Sequence, residues 1–70
     1  MINVLDELYH TYSHKDRMCE VWKDLDGTWV TRQYTITQSG KVWDKDVIHA
    51  GHSEQWAEDA AENWVLRINS

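Results

Sequence analysis

The chain has 70 residues, of which 41% are hydrophobic and 11% aromatic, with five Trp, three Tyr, no Pro and one Cys. This length supports one small domain, so we expect a single domain over residues 1–70 with no room for separate cofactor and substrate domains. Twelve acidic against seven basic residues give a net charge of −5, which argues against unassisted binding to nucleic-acid phosphates.

The environment of the protein is also indicated by its sequence. Cys19 has no partner for a disulfide, and no segment resembles a secretory signal or a membrane span. We therefore expect a soluble, cytoplasmic protein without membrane contact. Aromatic packing must supply much of the core, because each buried ring removes roughly 150–250 Å² of surface from water.

The first patterned segment, Val4–Tyr12, predicts an amphipathic helix. Leu5, Leu8, Tyr9 and Tyr12 recur at the spacing of one helical face. Asn3 stands where an N-cap would lie. The polar run that follows predicts the end of this helix and a loop.

Three segments with strand character come next. Met18–Leu25, Trp29–Thr37 and Lys41–His49 alternate or are rich in β-branched and aromatic residues. The dipeptides Asp26-Gly27 and Ser39-Gly40 separate them and are typical of two-residue hairpin turns. The three segments therefore predict an antiparallel meander.

A second helix is predicted after Gly51. Ser53 is a favourable N-cap, and the helical pattern extends to about Ile68. Trp56 and Trp64 are expected in the core, where neighbouring alanines would allow close approach to the sheet. The opposite side of this helix carries the acidic residues Glu54, Glu58, Asp59 and Glu62.

The predicted turns fix a register for the sheet. Cys19 then lies opposite Tyr34, and Ile36 lies opposite Trp43. The face that meets the helices carries Cys19, Val21, Val30, Tyr34, Ile36, Trp43 and Val47, with Arg32 as its charged exception. The solvated face carries Glu20, Trp22, Asp24, Trp29, Thr31, Gln33, Thr35, Asp44 and Asp46. Two Trp among acids and hydroxyls on a solvated face favour a binding role.

Several motifs resemble the double-stranded RNA-binding domain. Val4-Leu5-Asp6-Glu7-Leu8 is similar to the family's first-helix run, and Gly27 precedes Tyr34-Thr35-Ile36 at the family's spacing. The run from Gly51 to Ala61, Gly-His-Ser-Glu-Gln-Trp-Ala-Glu-Asp-Ala-Ala, is similar to the start of its last helix. The resemblance implies an α+β fold in the order α-β-β-β-α, with a three-stranded antiparallel sheet and both helices packed on one face.

The family's RNA-binding positions differ in this chain. Glu54, Gln55 and Glu58 stand where the family has three phosphate-binding lysines, and Val30 replaces a histidine that enters the minor groove. Glu7 alone matches a contact residue. Because duplex RNA is held largely through its backbone, the resemblance implies a related fold that has lost its usual ligand and binds protein instead.

Catalytic and metal chemistry have little support in the sequence. His49 and His52 lack a second ligand pair at the spacing of a structural zinc site. Cys19 is expected to point into the core as a small apolar residue. We therefore predict no enzymatic activity, no cofactor and no metal.

The leading hypothesis is a small acidic adaptor or inhibitor that binds a basic surface of a partner protein, as phage-encoded proteins that capture a host enzyme do. Its candidate partner-binding residues are Trp22, Trp29, Glu20, Asp24, Asp44 and Asp46 on the sheet, or Glu54, Glu58 and Glu62 on the second helix. An alternative is weak or dimer-dependent binding of double-stranded RNA through Glu7, Arg32, Lys41 and Lys45. Homodimerisation through an edge strand or the apolar side of the second helix is a third possibility.

Overall fold

Four antiparallel strands and one C-terminal helix make up the protein. The computed structural model describes residues 5–68, and the predicted cap Asn3 lies outside them. The elements are β1 (Leu5–His14), β2 (Arg17–Asp24), β3 (Trp29–Thr37), β4 (Gly40–His49) and α1 (Glu54–Val65). The strands form one sheet in the order β1-β2-β3-β4. The fold is α+β, but the predicted α-β-β-β-α order with three strands and two helices is wrong.

The predicted first helix is strand β1. Its pairing with β2 is irregular between Leu5 and Glu7 and again between Leu8 and His10. Each irregularity inserts one extra residue, so the strand's period of two is interrupted twice. The resulting apolar spacings of three and four residues imitate a helix, which is why the sequence pattern was misleading.

The remaining strands lie close to the predicted segments, but their register differs. Gly27 N donates to Asp24 O at 3.0 Å and Asp24 N donates to Thr28 O at 2.9 Å. Residues 25–27 thus form a three-residue hairpin loop with Gly27 in the left-handed region at φ +83°. The predicted two-residue turn is therefore wrong by one residue.

This shift turns β3 over relative to β2. Cys19 pairs with Gln33 rather than with Tyr34. Since side chains alternate between faces, Val30, Arg32, Tyr34 and Ile36 leave the helix side of the sheet. Thr31 and Gln33 take their places, and the misplaced Arg32 of the predicted register is explained.

The connection between β3 and β4 also differs from the prediction, but its shift of two residues does not turn the strand over. Ile36 pairs with Lys41 rather than with Trp43, because the loop is Gln38–Ser39. A further irregularity lies between Gln33 and Tyr34, where Asp44 is the extra residue of β4. Trp43 therefore pairs with Tyr34, on the side away from the helix.

The core lies between α1 and the middle of the sheet. It consists of Cys19, Val21, Ala57, Ala61 and Val65, with Tyr12, Trp29 and Trp64 packed at its margin. Small helical residues let α1 approach the sheet closely, as the sequence predicted. Trp64 is half-buried there, whereas Trp56 is 53% exposed, so its predicted core position is wrong.

The helix has defined ends. Ser53 Oγ accepts a hydrogen bond from Trp56 N at 3.2 Å, which confirms the predicted N-cap. The helix ends at Val65, before the predicted Ile68, because Arg67 takes the left-handed conformation at φ 59°. Within residues 5–68, no helix is both long and apolar enough to cross a membrane.

Candidate functional site

Helix α1 carries most of the protein's excess charge. It contains Glu54, Glu58, Asp59 and Glu62 and no Lys or Arg. The whole chain has a net charge of −5, and the four carboxylates of α1 nearly equal that excess. Asp59 and Glu62 are exposed, whereas Glu54 and Glu58 are half-buried.

One group of these carboxylates faces the edge strand β1. His10 Nε2 lies 2.8 Å from Glu58 Oε2 and 3.7 Å from Glu54 Oε2. The hydrogen bond with Glu54 and the loss of solvent raise the pKa of Glu58, while His10 partly opposes that shift. Burial, followed by the charges of Glu58 and Glu62, raises the pKa of the neighbouring Tyr12.

The same three side chains are of metal-ligand type. The imidazole nitrogen of His10 and the carboxylate oxygens of Glu54 and Glu58 lie within 4.8 Å of one another. Such a set can form a cation site or a plain charge cluster. The sequence analysis predicted no metal and did not associate His10 with these carboxylates, because β1 was predicted as a helix and its position beside α1 was not known.

Another part of α1 forms a groove that is open to solvent. Trp56, Asp59, Ala60 and Asn63 line a depression of about 330 Å³ on one stripe of the helix. The ring of His52 stacks on Trp56 with centroids 4.1 Å apart and planes inclined by 8°. The groove thus combines an aromatic wall with a carboxylate.

The sheet has a second, outer face, which points away from α1. We define it by three cross-strand rows of side chains: an apolar row, a charged row and an aromatic row. The apolar row is Leu8, Trp22, Val30 and Ile48; the charged row is Glu20, Arg32 and Asp46; the aromatic row is Met18, Tyr34 and Trp43. Lys41 lies beyond the aromatic row, opposite Ile36.

Glu20 is held within the outer face by its neighbours. Its Oε1 accepts hydrogen bonds from Trp22 Nε1 and from Tyr34 Oη, both at 3.0 Å. Lys41 Nζ lies 3.7 Å from Glu20 Oε2 and 4.5 Å from the centroid of the Tyr34 ring. Burial and the bond to Glu20 raise the pKa of Tyr34.

Asp46 is equally engaged. Arg32 donates two hydrogen bonds to its carboxylate, at 2.9 and 3.0 Å. Trp43 Nε1 donates a third, at 3.0 Å. The Arg32 guanidinium, with help from Trp43, lowers the pKa of Asp46 and Asp46 raises the pKa of Arg32.

The other predicted binding residues of the sheet are dispersed. Asp24 Oδ1 accepts from Asp26 N and Thr28 N, both at 2.9 Å, and so stabilises a turn. Asp44 is exposed on β4. Trp29 was predicted beside Trp22 but lies on the helix side, where its ring meets Tyr9 edge-on at 4.8 Å between centroids.

The residues of the RNA-binding alternative do not converge. Arg32 and Lys41 lie on the outer face and are paired with carboxylates. Lys45 pairs with Gln33 on the helix side of the sheet, and Glu7 pairs with Lys23 at the β1 edge. No continuous basic surface forms from these four residues.

Cys19 and His49 lie in the core region rather than at a reactive surface. Cys19 is buried, which raises the pKa of its thiol to about 12. Thr31 Oγ1 lies 3.0 Å from His49 Nε2. Burial, followed by the charge of His52, lowers the pKa of His49.

Sequence reasoning missed Trp43 and Trp56 as exposed candidates, and it placed Asp59 on the acidic side of the helix without naming it as a binding residue. Trp43 was assigned to the core because the one-residue error in the loop between β2 and β3 placed Tyr34, and Trp43 beside it, on the helix side. Trp56 was assigned to the core because it neighbours the buried Ala57 along the chain. A helical wheel centred on Ala57, Ala61 and Val65, which are the buried residues of α1, would have placed Trp56 well outside the buried stripe, on the exposed side.

Comparison with protein-family models, with curated proteins and with solved structures finds no match to this chain. The assignment of function therefore depends on the geometry of its surfaces.

Proposed function

We propose that this protein is a non-catalytic interaction module that binds a positively charged segment of a partner protein along the exposed side of α1. The observation that carries the proposal is the composition of this helix, which has four carboxylates and no Lys or Arg, and one of these carboxylates, Asp59, lines an open groove with an aromatic wall. Surrounding carboxylates attract a cationic partner and accelerate its association.

The groove has the chemistry to hold a lysine or arginine side chain. Such a side chain would lay its aliphatic stem along Ala60, place its charge near the Trp56 ring and reach the Asp59 carboxylate. A cation over an indole contributes about 0.5–2 kcal/mol, depending on how far it is desolvated. An exposed carboxylate adds up to about 1 kcal/mol.

The acidic residues of the sheet are less suited to this role. Glu20 and Asp46 already accept hydrogen bonds from two or more side chains of the outer face. Asp24 is committed to its turn. A partner would have to break these internal bonds, whereas Asp59 and Glu62 on α1 are exposed.

The negative electrostatic potential of α1 also disfavours a nucleic-acid ligand. Backbone binding depends on cations that displace counterions from phosphates. Arg32 and Lys41 are each paired within the fold, and α1 would repel a phosphate chain. A protein partner is the better match to this surface.

Calorimetric titration with a nine-residue arginine-rich peptide at physiological salt tests the proposal. We expect Trp56→Ala and Asp59→Asn each to weaken binding about threefold or more, as a lost cation–π contact or surface ion pair requires. Asp44→Asn is the matched control for Asp59→Asn, since it removes the same charge from the sheet and should leave affinity nearly unchanged.

Two results would contradict the proposal. Equal weakening by Asp59→Asn and Asp44→Asn would show attraction by net charge alone, without a site. Binding of labelled duplex RNA tighter than a few micromolar, with a steep salt dependence, would favour the alternative function.

A further inference from the structure

The outer face of the sheet is an unusual surface for an antiparallel sheet in a small protein. Such sheets commonly carry apolar residues toward the core and polar residues toward water. Here Trp43 is 58% exposed and Ile48 is 54% exposed, with Leu8 and Ile36 exposed beside them. Within residues 5–68, α1 covers one side of the sheet and no element covers the other.

The charges of the outer face cancel internally. Glu20 and Asp46 balance Arg32 and Lys41, and every one of these groups has an oppositely charged neighbour on the same face. Burying a charge that is already paired and hydrogen-bonded costs much less than burying an unpaired one. Because these carboxylates are satisfied by their own chain, the face can be dehydrated without leaving an unpaired ion.

The position of the remaining negative charge, on α1, favours a second copy of this chain as the binding partner of the outer face. The four carboxylates of α1 lie on the other side of the sheet. If two copies stacked their outer faces, the helices would lie on opposite outer surfaces, roughly 30 Å apart for layers spaced by about 10 Å. That distance exceeds the Debye length of about 8 Å at physiological salt, so their repulsion would be largely screened.

The size of the face is also adequate for self-association. Four strands spaced about 4.8 Å apart, each about 30 Å long, present roughly 500 Å² of sheet surface per copy. Two copies would bury roughly 1,000 Å² in total, at the lower end of specific protein interfaces. The area corresponds to a reversible dimer rather than an obligate one.

We propose that the outer face binds a second copy of this chain, forming a face-to-face sheet dimer with its two α1 helices on the outside. The contact joins the apolar and aromatic rows of the two copies, in which Leu8, Ile48 and Trp43 are exposed, around their neutral charged rows. The dimer itself does not depend on the proposed function. If both proposals hold, the dimer has one further consequence. The dimer presents two separate cation-binding helices, so a partner with two basic segments gains avidity.

Sedimentation equilibrium from 10 to 500 µM tests the proposal with a matched pair of variants. Ile48 and Val42 are both β-branched residues of β4, 54% and 51% exposed. Ile48 lies on the outer face, whereas Val42, paired with Thr35, lies on the helix side. Neither side chain is in the core, so Asp at either position should leave the fold intact, which circular dichroism would verify.

We expect the native chain to approach twice its mass of 8.3 kDa as concentration rises. Ile48→Asp should weaken dimerisation at least tenfold, and Val42→Asp should leave it nearly unchanged. A native chain that stays monomeric throughout the range would overturn the proposal. Equal effects of the two variants, or growth to open-ended oligomers, would also overturn it, because both indicate pairing through the strand edges.

Discussion

The two faces of the four-stranded sheet differ in the size of their side chains and in whether a helix covers them. The face toward α1 is built from small side chains, Cys19 and Val21 against Ala57 and Ala61, all buried. The outer face carries larger side chains, including Trp22, Trp43 and Ile48, yet no helix covers it. Close packing of small residues therefore stabilises the fold, while much of the aromatic surface stays available for contact.

The largest expected contrast between the faces is in stability. Val21→Ala leaves a cavity in the core and should lower the free energy of unfolding by about 2 kcal/mol. Ile48→Ala on the outer face should lower it by less than about 0.5 kcal/mol, because an exposed side chain leaves no cavity. Urea unfolding below 10 µM, where dimer formation is minor, measures both; equal losses would refute the contrast.

A smaller effect is expected from the charged row of the outer face. Arg32→Met removes both hydrogen bonds to Asp46 and should cost about 1 kcal/mol at pH 7, since the pair is partly exposed. The ion pair lowers the pKa of Asp46 below its ordinary value of 3.8. Its contribution is therefore present above that value and is lost as pH falls through the lowered pKa. The difference between native chain and variant should shrink between pH 5 and pH 2; a constant difference would contradict the ion-pair account.

The smallest expected effect is on the acidic side of α1. Contact with Glu54 raises the pKa of Glu58 above 4.5, so the native state is favoured by protonation and loses that advantage as pH rises through the raised pKa. Glu58→Gln should raise the melting temperature at pH 7 by about 1–3 °C, the range expected for relief of one like-charge pair on a helix.

The gain from Glu58→Gln should disappear below pH 4, where the native carboxyl is protonated. Asp44→Asn is the matched control on β4 and should show no such change with pH. A gain that persists unchanged at pH 3 would show that charge repulsion is not its cause.

Local signals in the sequence were sufficient for much of the fold. Strands β2 to β4 lie close to the predicted segments, and Ser53 begins α1 as its capping chemistry indicated. The errors came from single residues. Two bulges made β1 resemble a helix, and one extra loop residue before Thr28 turned β3 over. Bulges and loop lengths depend on contacts between strands, which periodicity within one segment does not contain.

The candidate site was predictable in composition but not in arrangement. The acidic row of α1 follows directly from the sequence, because helical spacing places Glu54, Glu58 and Glu62 together. Which carboxylates are satisfied internally could not be predicted, since Asp46 meets Arg32 only in the true register. The exposure of Trp43 could not be predicted either, because it also depends on the strand register. The resemblance to the double-stranded RNA-binding domain stays a prediction, although the element order it implies is wrong.

The indole NH signals of the five Trp residues provide the most direct test of the account, because these residues sample every surface. A two-dimensional ¹H–¹⁵N spectrum recorded while the arginine-rich peptide is added should show the Trp56 signal shifting, with Trp22 and Trp43 on the outer face unchanged at constant protein concentration. Dilution without peptide should shift Trp22 and Trp43 and leave Trp56 in place. Peptide-induced shifts confined to Trp22 and Trp43 would contradict the account, because they would place the partner on the sheet rather than on the acidic helix.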